Sequence, residues 1–251
     1  MPKNNKIFII GIICTIILLQ IIVIFTYYFY STPKIDLYNF TQGNLVGGTR
    51  ESKQLKDIYK KVYTIDNIFT KTECKQIIDE CELYANNKKE WTLYQRDNYY
   101  TLDNLINNID SISNLVEHTI YTKIIPEYAT KYNIPSNLLK LDKNELFIIK
   151  YYNGNTVNIE TNGVINNKNK NNNKNNNKIV GYHQDKSPFS FNIALNDEFD
   201  GGGTHFSEIN HHVNNPVGSC LIFCGKNTHS GIKINTGTRY VIYGSFAKHD
   251  Y

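Results

Sequence analysis

A chain of 251 residues, 41% of them hydrophobic, has room for one domain of ordinary size plus appendages, and enough apolar matter for a core. Its formal charge of +4, from 27 Lys and Arg against 23 Asp and Glu, owes part of its excess to Lys3, Lys6 and a Lys-Asn tract. No basic stripe with interleaved aromatics stands out, so nucleic acid is not among the expected partners.

Residues 7–30 carry no charge, and Gln20 is their only strongly polar member. About 20 apolar residues cross a bilayer as a helix, and Thr26, Tyr27, Tyr28 and Tyr30 suit its interfacial belt. Lys3 and Lys6 precede the stretch and Lys34 follows it. The more positive start predicts residues 1–6 in the cytoplasm and 7–30 as a transmembrane signal anchor. The rest then faces a lumen or the exterior, as a single-pass type II protein. The membrane expected is of endoplasmic-reticulum type, or a host or virion membrane for a viral chain. The rival reading is a cleaved signal peptide, whose apolar region is shorter and ends at a small-residue site; this stretch runs on into aromatic residues instead.

Residues 31–61 hold Pro33, Gly43, Gly47 and Gly48 with little periodicity and read as a stem. The domain then spans 62–251. Val62 to Ile68 alternates as a short strand. Thr70 to Glu73 forms a capping box, with a helix after it to about Tyr84 that places Ile77, Ile78 and Cys81 on one face. A second strand is expected over Trp91 to Tyr99. Leu102 to Tyr132 reads as one or two helices, with Ile109, Ile112, Val116, Ile120 and Ile124 at helical spacing and Pro126 starting or interrupting a turn.

Glu145 to Tyr152 is a strand in which Leu146, Ile148 and Lys150 alternate with Phe147, Ile149 and Tyr151. Residues 155–178, mostly Asn and Lys, cannot bury enough apolar surface to fold and read as a disordered insertion. Tyr182 to Asp185, Ser190 to Leu195, the turn FDGGGTHF (199–206), Val217 to Cys224 and Thr238 to Phe246 supply the remaining strands. Helices first and strands after make an α+β chain. Eight such strands in two facing sheets are a jelly roll.

The chemistry concentrates between Gly181 and Phe246. His183 and Asp185 form an H-x-D pair, His229 follows 44 residues after Asp185, and Arg239 lies 10 beyond His229. Residues i and i+2 of a strand share a face, so His183 and Asp185 can reach one metal, with His229 as third ligand from another strand. Two His and one carboxylate on one side of an octahedron are the facial triad of non-haem Fe(II) oxygenases. The open positions suit a bidentate co-substrate and O2. A guanidinium grips carboxylate through two parallel hydrogen bonds, which suits Arg239 to the co-substrate. Of the other His residues, His205 is expected outside the metal shell. His211 and His212 read as part of a polar loop, His118 as helical and His249 as tail.

This ordered set resembles the 2-oxoglutarate- and Fe(II)-dependent dioxygenases, above all the branch of the prolyl 4-hydroxylases (alpha-subunit catalytic domain) and lysyl hydroxylases. The blocks FNIALN (191–196), FDGGGTHF (199–206), PVGSCLIF (216–223) and GTRY (237–240) are similar too, and the likeness covers roughly residues 62–247. It implies N-terminal helices buttressing a double-stranded β-helix, Fe(II) held by His183, Asp185 and His229, and 2-oxoglutarate paired with Arg239. It also implies oxidative decarboxylation to succinate and CO2, coupled to hydroxylation of an unactivated C–H, with L-ascorbate rescuing over-oxidised iron. Related halogenases lack the carboxylate, so Asp185 favours hydroxylation. Tyr151, in the K-Y-x-x-G string at 150–154, matches a Tyr that often reaches the co-substrate; as a strand residue it reads equally as barrel wall. The insertion at 155–178 departs from the usual short connection.

A membrane anchor with one catalytic domain resembles the anchored prolyl 4-hydroxylases, although these commonly carry Lys at the place of Arg239. The expected substrate is peptidyl proline in collagen-like X-Pro-Gly sequences. FNIALN, GGG and GTRY lean towards lysyl hydroxylase, making peptidyl lysine the alternative; a third reading is an inactive, membrane-attached jelly-roll interaction module. Five Cys give no metal pattern. Cys74 and Cys81 cannot bridge within their helix, nor Cys220 and Cys224 within their strand. Four buried thiols are expected, with a disulfide between elements as the other possibility in an oxidising lumen.

Overall fold

The computed structural model describes residue 15 and residues 17–23, 60–88, 91–96, 99–152 and 181–247. These fall into two units, one within Met1–Asp36 and one within Leu37–Tyr251. In the first, Thr15 and residues 17–23 are helical. Among the described residues no helix is long and apolar enough to cross a membrane. Most of the expected anchor 7–30, nearly all of the stem and the whole Asn-Lys tract lie outside the described residues.

The second unit mixes helices with antiparallel sheet. It opens on β1 (Val62–Ile65) and α1 (Lys71–Lys88). The capping box forms: Glu73 Oε2 accepts from the Thr70 backbone N–H at 2.7 Å, and Thr70 Oγ1 accepts from the Glu73 N–H at 3.2 Å. Helix α1 buries Cys74, Ile77, Cys81 and Ala85. It outruns its expected end at Tyr84 because residues 85–88 hold no breaker.

β2 (Thr92–Arg96) and β3 (Tyr99–Leu105) form a hairpin. Here the expectation of helix from Leu102 is corrected. Leu102, Leu105, Ile106 and Ile109 mimic helical spacing, but residues 99–105 pair with β2 on one side and the later strand β5 on the other. The helix begins at α2 (Asp110–Thr119), continues through a π turn (Ile120–Ile124) and ends as α3 (Ile125–Tyr132). Pro126 sits in the first turn of α3, where its missing N–H costs least. The wider π turn before it accommodates the ring. Ile112, Val116, Ile120 and Ile124 are fully buried, each contributing about 1.5–3 kcal/mol.

The remaining strands are β4 (Lys140–Leu141), β5 (Phe147–Tyr152), β6 (Phe189–Ala194), β7 (Phe199–Gly201), β8 (Thr204–Phe206), β9 (His211–Val213), β10 (Cys220–Cys224), β11 (His229–Gly231) and β12 (Ile234–Ala247). The major sheet runs β1-β10-β6-β12-β5-β3-β2, with β4 and β7 also on β12; the minor sheet is β11-β8-β9. This is an antiparallel fold of the jelly-roll kind, and among the described residues it has more than the expected eight strands because β3, β4, β9 and β11 add to them and the 199–206 block divides into β7 and β8. Helix α3 covers that sheet from behind. Tyr128 donates to the Phe223 carbonyl at 2.5 Å and meets Phe189 and Phe246 edge-on.

Strand β12 changes partners along its length. Ile234 to Gly237 pair with β7, while Thr238 to Ser245 pair with β5 and β6. Arg239 follows this corner directly. Alternation then sends Arg239, Val241, Tyr243 and Ser245 of β12, and Phe147, Ile149 and Tyr151 of β5, into one cavity.

Candidate active site

The cavity measures about 490 Å³ and also takes in His183, Asp185, Asn192, Thr204, Phe223 and His229. The stretch expected as strand from Tyr182 to Asp185 is instead a bend at Tyr182 and an isolated bridge at His183, with Gln184 and Asp185 in irregular chain. The i, i+2 geometry survives because the backbone is held at both positions. His183 and His229 exchange backbone hydrogen bonds of 2.9 and 3.0 Å, and the Asp185 N–H donates to the Gly225 carbonyl at 2.7 Å.

Asp185 Oδ1 lies 3.5 Å from His183 Nε2 and 3.6 Å from His229 Nε2. One ligand atom from each of the three residues falls within 4.8 Å of the others. Bonds of about 2.1 Å set at right angles separate adjacent ligand atoms by about 3 Å, so modest closure seats one ion. The tautomers suit it. His183 Nδ1 lies 2.9 Å from the Gly181 carbonyl and His229 Nδ1 2.7 Å from that of Asn227. A carbonyl only accepts, so Nδ1 carries the proton and Nε2 offers its lone pair.

The electrostatics point the same way. Burial pushes the Asp185 carboxyl up, but His183 and His229 in their protonated, metal-free forms outweigh it and hold it below the ordinary carboxylate range. Burial pulls His229 below the ordinary imidazole value against the opposing pull of Asp185. A carboxylate and a neutral imidazole are the ligating forms. Asp185 Oδ2 is buried with no hydrogen-bond partner, an arrangement that costs free energy in a protein interior unless a cation satisfies it. The donor set fits a divalent transition metal.

Arg239 is 4% exposed, and its Nε has no hydrogen-bond partner. Among the described residues no carboxylate pairs with it. Burial lowers its affinity for the proton, partly offset by Tyr151, whose ring lies 5.4 Å from the guanidinium. A buried cation without a protein anion fits a ligand anion. Gly202 makes room for it: at φ +75°, a Cβ there would come within 3.2 Å of Arg239 Cδ and 2.8 Å of the Phe199 ring.

The structure thus brings His183, Asp185, His229, Arg239 and Tyr151 to one cavity. His205 stays out of the trio, its Nδ1 2.9 Å from the Tyr182 hydroxyl. His211 and His212 are corrected from loop to strand, paired in β9 with Phe206 and His205, although both remain exposed. His118 lies in α2, and His249 is outside the described residues. The four described Cys are buried free thiols. Asn192 and Thr204 line the cavity unforeseen. Thr204 had a signal, since it is two residues before the buried Phe206 in a strand.

No protein-family model and no curated protein matches the chain. Among solved structures it is similar to the non-heme alpha-ketoglutarate-dependent epimerase SnoN from nogalamycin biosynthesis, at 15% identity and TM-score 0.52, covering 78% of this chain and 82% of that one. It is also similar to a 2OG-Fe(II) oxygenase family oxidoreductase from Burkholderia pseudomallei, at 12% identity and TM-score 0.50, covering 78% and 88%. A looser superposition, TM-score 0.43 at 12% identity over 76% and 97%, falls on a viral collagen prolyl hydroxylase from Paramecium bursaria Chlorella virus-1. With its H-x-D and distal His gathered at one cavity, the chain has the fold of the 2-oxoglutarate/Fe(II) oxygenases.

Proposed function

We propose that this chain is an Fe(II)- and 2-oxoglutarate-dependent oxygenase that hydroxylates peptidyl proline. The observation that carries the reading is the pairing, in one cavity, of a compact His183-Asp185-His229 trio with a buried Arg239 that no carboxylate among the described residues meets. Iron, when bound, supplies O2 activation coupled to decarboxylation of 2-oxoglutarate, with ascorbate as the reductant that keeps it ferrous.

The chain's own groups do the rest. His183 and His229 keep their Nδ1 protons on backbone carbonyls and present Nε2. Asp185 presents a carboxylate. Arg239 binds the far carboxylate of the co-substrate while Tyr151 covers the guanidinium. Phe223 and Val241 make part of the wall apolar, which strengthens every charge interaction inside. The His183 side chain is 38% exposed against 8% for Asp185 and 7% for His229, so substrate reaches the centre past His183.

Proline as target rests on the resemblance of an apolar N-terminal stretch plus one catalytic domain to the anchored prolyl 4-hydroxylases. In the same reading residues 7–30 anchor the chain, with the domain lumenal. The helical run at 17–23 supports it, since Ile17, Leu18, Leu19, Ile21, Ile22 and Val23 are all exposed, as suits a lipid environment. Peptidyl lysine is the second reading. It is favoured by FNIALN and GTRY and by Asp142 and Glu145 on the cavity lining, carboxylates suited to an ammonium.

The test takes the full chain in mild detergent with Fe(II) and 2-oxoglutarate under argon, then adds O2 and an X-Pro-Gly or an X-Lys-Gly peptide. Mass spectrometry locates inserted oxygen. Oxygen on proline is expected, and oxygen on lysine moves the chain to the second reading. Succinate without peptide change keeps the chemistry and discards both substrates. No succinate and no metal binding leaves an inert interaction module.

A further inference from the structure

The turn from Cys224 to His229 holds both halves of the trio. Its far end carries His229, whose ring is oriented by the Asn227 carbonyl. Its near end grips the H-x-D segment, 40 residues earlier in the chain. The Gly225 carbonyl accepts from the Asp185 N–H at 2.7 Å, and the Gly225 N–H donates to the Pro188 carbonyl at 2.9 Å. A Cβ on Gly225 would come within 2.2 Å of the Ser187 carbonyl oxygen and 2.8 Å of Asp185 Cβ, so the two backbones meet closer than any side chain allows.

Lys226 completes the grip. Its Nζ donates to the carbonyl of Asp185 at 2.8 Å and to that of Lys186 at 2.9 Å. The N–H and the C=O of Asp185 are therefore held by two consecutive residues of one turn. This is unlike the two His ligands, whose rings are fixed by a side-chain hydrogen bond to a carbonyl two residues back. Asp185 Oδ2 receives no hydrogen bond, so beyond the approach of Oδ1 to the two His rings the hold on this carboxylate comes through its backbone.

We propose that Lys226 is a positioning residue for the metal centre, fixing the Asp185 carboxylate against His183 and His229 through the Asp185 and Lys186 carbonyls. The inference rests on reading those three residues as metal ligands. Groups that orient ligands typically set affinity by 10–100-fold. A lysine whose only role is to staple the loop gives a different result: it changes melting without changing affinity.

The full chain is titrated with Mn(II), a redox-inert stand-in for Fe(II), by calorimetry, and its metal-free melting temperature is recorded. Lys226→Met, which keeps the stem and loses the donors, is expected to weaken Mn(II) about tenfold with melting unchanged. Lys226→Arg is expected to restore most of the affinity. Equal affinity in wild type and Lys226→Met overturns the proposal while leaving the metal site intact. A lowered melting temperature without Arg rescue overturns it in favour of a staple. Should Lys226→Met fail to fold, Lys226→Gln is compared with Lys226→Arg, and equal affinities overturn it. A wild type that binds no Mn(II) overturns both this and the proposed function.

Discussion

Two neighbouring cross-strand pairs in the major sheet, one residue apart, have opposite chemistry. Tyr151 faces Arg239, and Lys150 faces Tyr240. The first pair points into the cavity, and its guanidinium meets no protein carboxylate among the described residues. The second points at α1, where Glu82 accepts from Lys150 at 2.6 Å, from Tyr240 at 2.5 Å and from Trp91 at 3.1 Å. One cation is fully partnered from within the chain and the other is not. Glu82 and Asp185 differ in the same way: three donors serve the first, while the second keeps a buried oxygen with none. The sheet thus separates a latch from a site by alternation alone, and the degree to which polar groups are satisfied tells which face is which.

The sharpest way to break this comparison is to remove a ligand. His183→Ala should abolish metal binding and 2-oxoglutarate turnover while leaving the latch and the melting temperature alone; retained turnover would sink the metal assignment. Next, Arg239→Leu should raise the KM for 2-oxoglutarate by about 10²-fold, the scale of a broken buried charge pair. Arg239→Lys should recover part of it, and Mn(II) affinity should hold in both; steady-state kinetics with calorimetry decides.

On the other face, Glu82→Gln should cost about 1–2 kcal/mol at pH 7 with KM unmoved. Burial pushes the Glu82 carboxyl up, but its hydrogen bonds from Lys150, Tyr240 and Trp91 win and hold it low. A carboxyl whose folded pKa is depressed contributes stability above its unfolded value, near pH 4, and loses it as the pH falls through the folded one. The gap between wild type and Glu82→Gln in urea melts should therefore close on acidification; a gap that widens would contradict the latch. Smallest of all, deleting residues 157–176 of the Asn-Lys tract should leave Mn(II) affinity unchanged.

The ligand trio and Arg239 were legible because each depends on short-range register: H-x-D on alternation, and Arg239 on the glycine corner before it. Tyr151 was legible only through resemblance, since its partnership with Arg239 depends on which strands lie side by side. Lys226 was not legible at all. Its acceptors are carbonyls of Asp185 and Lys186, backbone atoms that leave no mark on the sequence. The Glu82 latch joins residues 158 apart and was missed for the same reason. Leu102 to Leu105 misled because apolar spacing compatible with a helix was overruled by pairing on both edges of β3.

The four thiols of the domain have a practical consequence. Cys74, Cys81, Cys220 and Cys224 are all 0% exposed. Burial pushes Cys74 up to about 11 and Cys81 and Cys224 up to about 12, and it raises Cys220 well above the ordinary thiol value. Sulfur reacts as thiolate, so at neutral pH these residues present almost none to alkylating reagents or to stray oxidants. A thiol-specific dye mixed with the domain stays dark while the fold is closed and lights as it opens. The same chain whose proposed chemistry consumes O2 thus carries its own optical counter of unfolding.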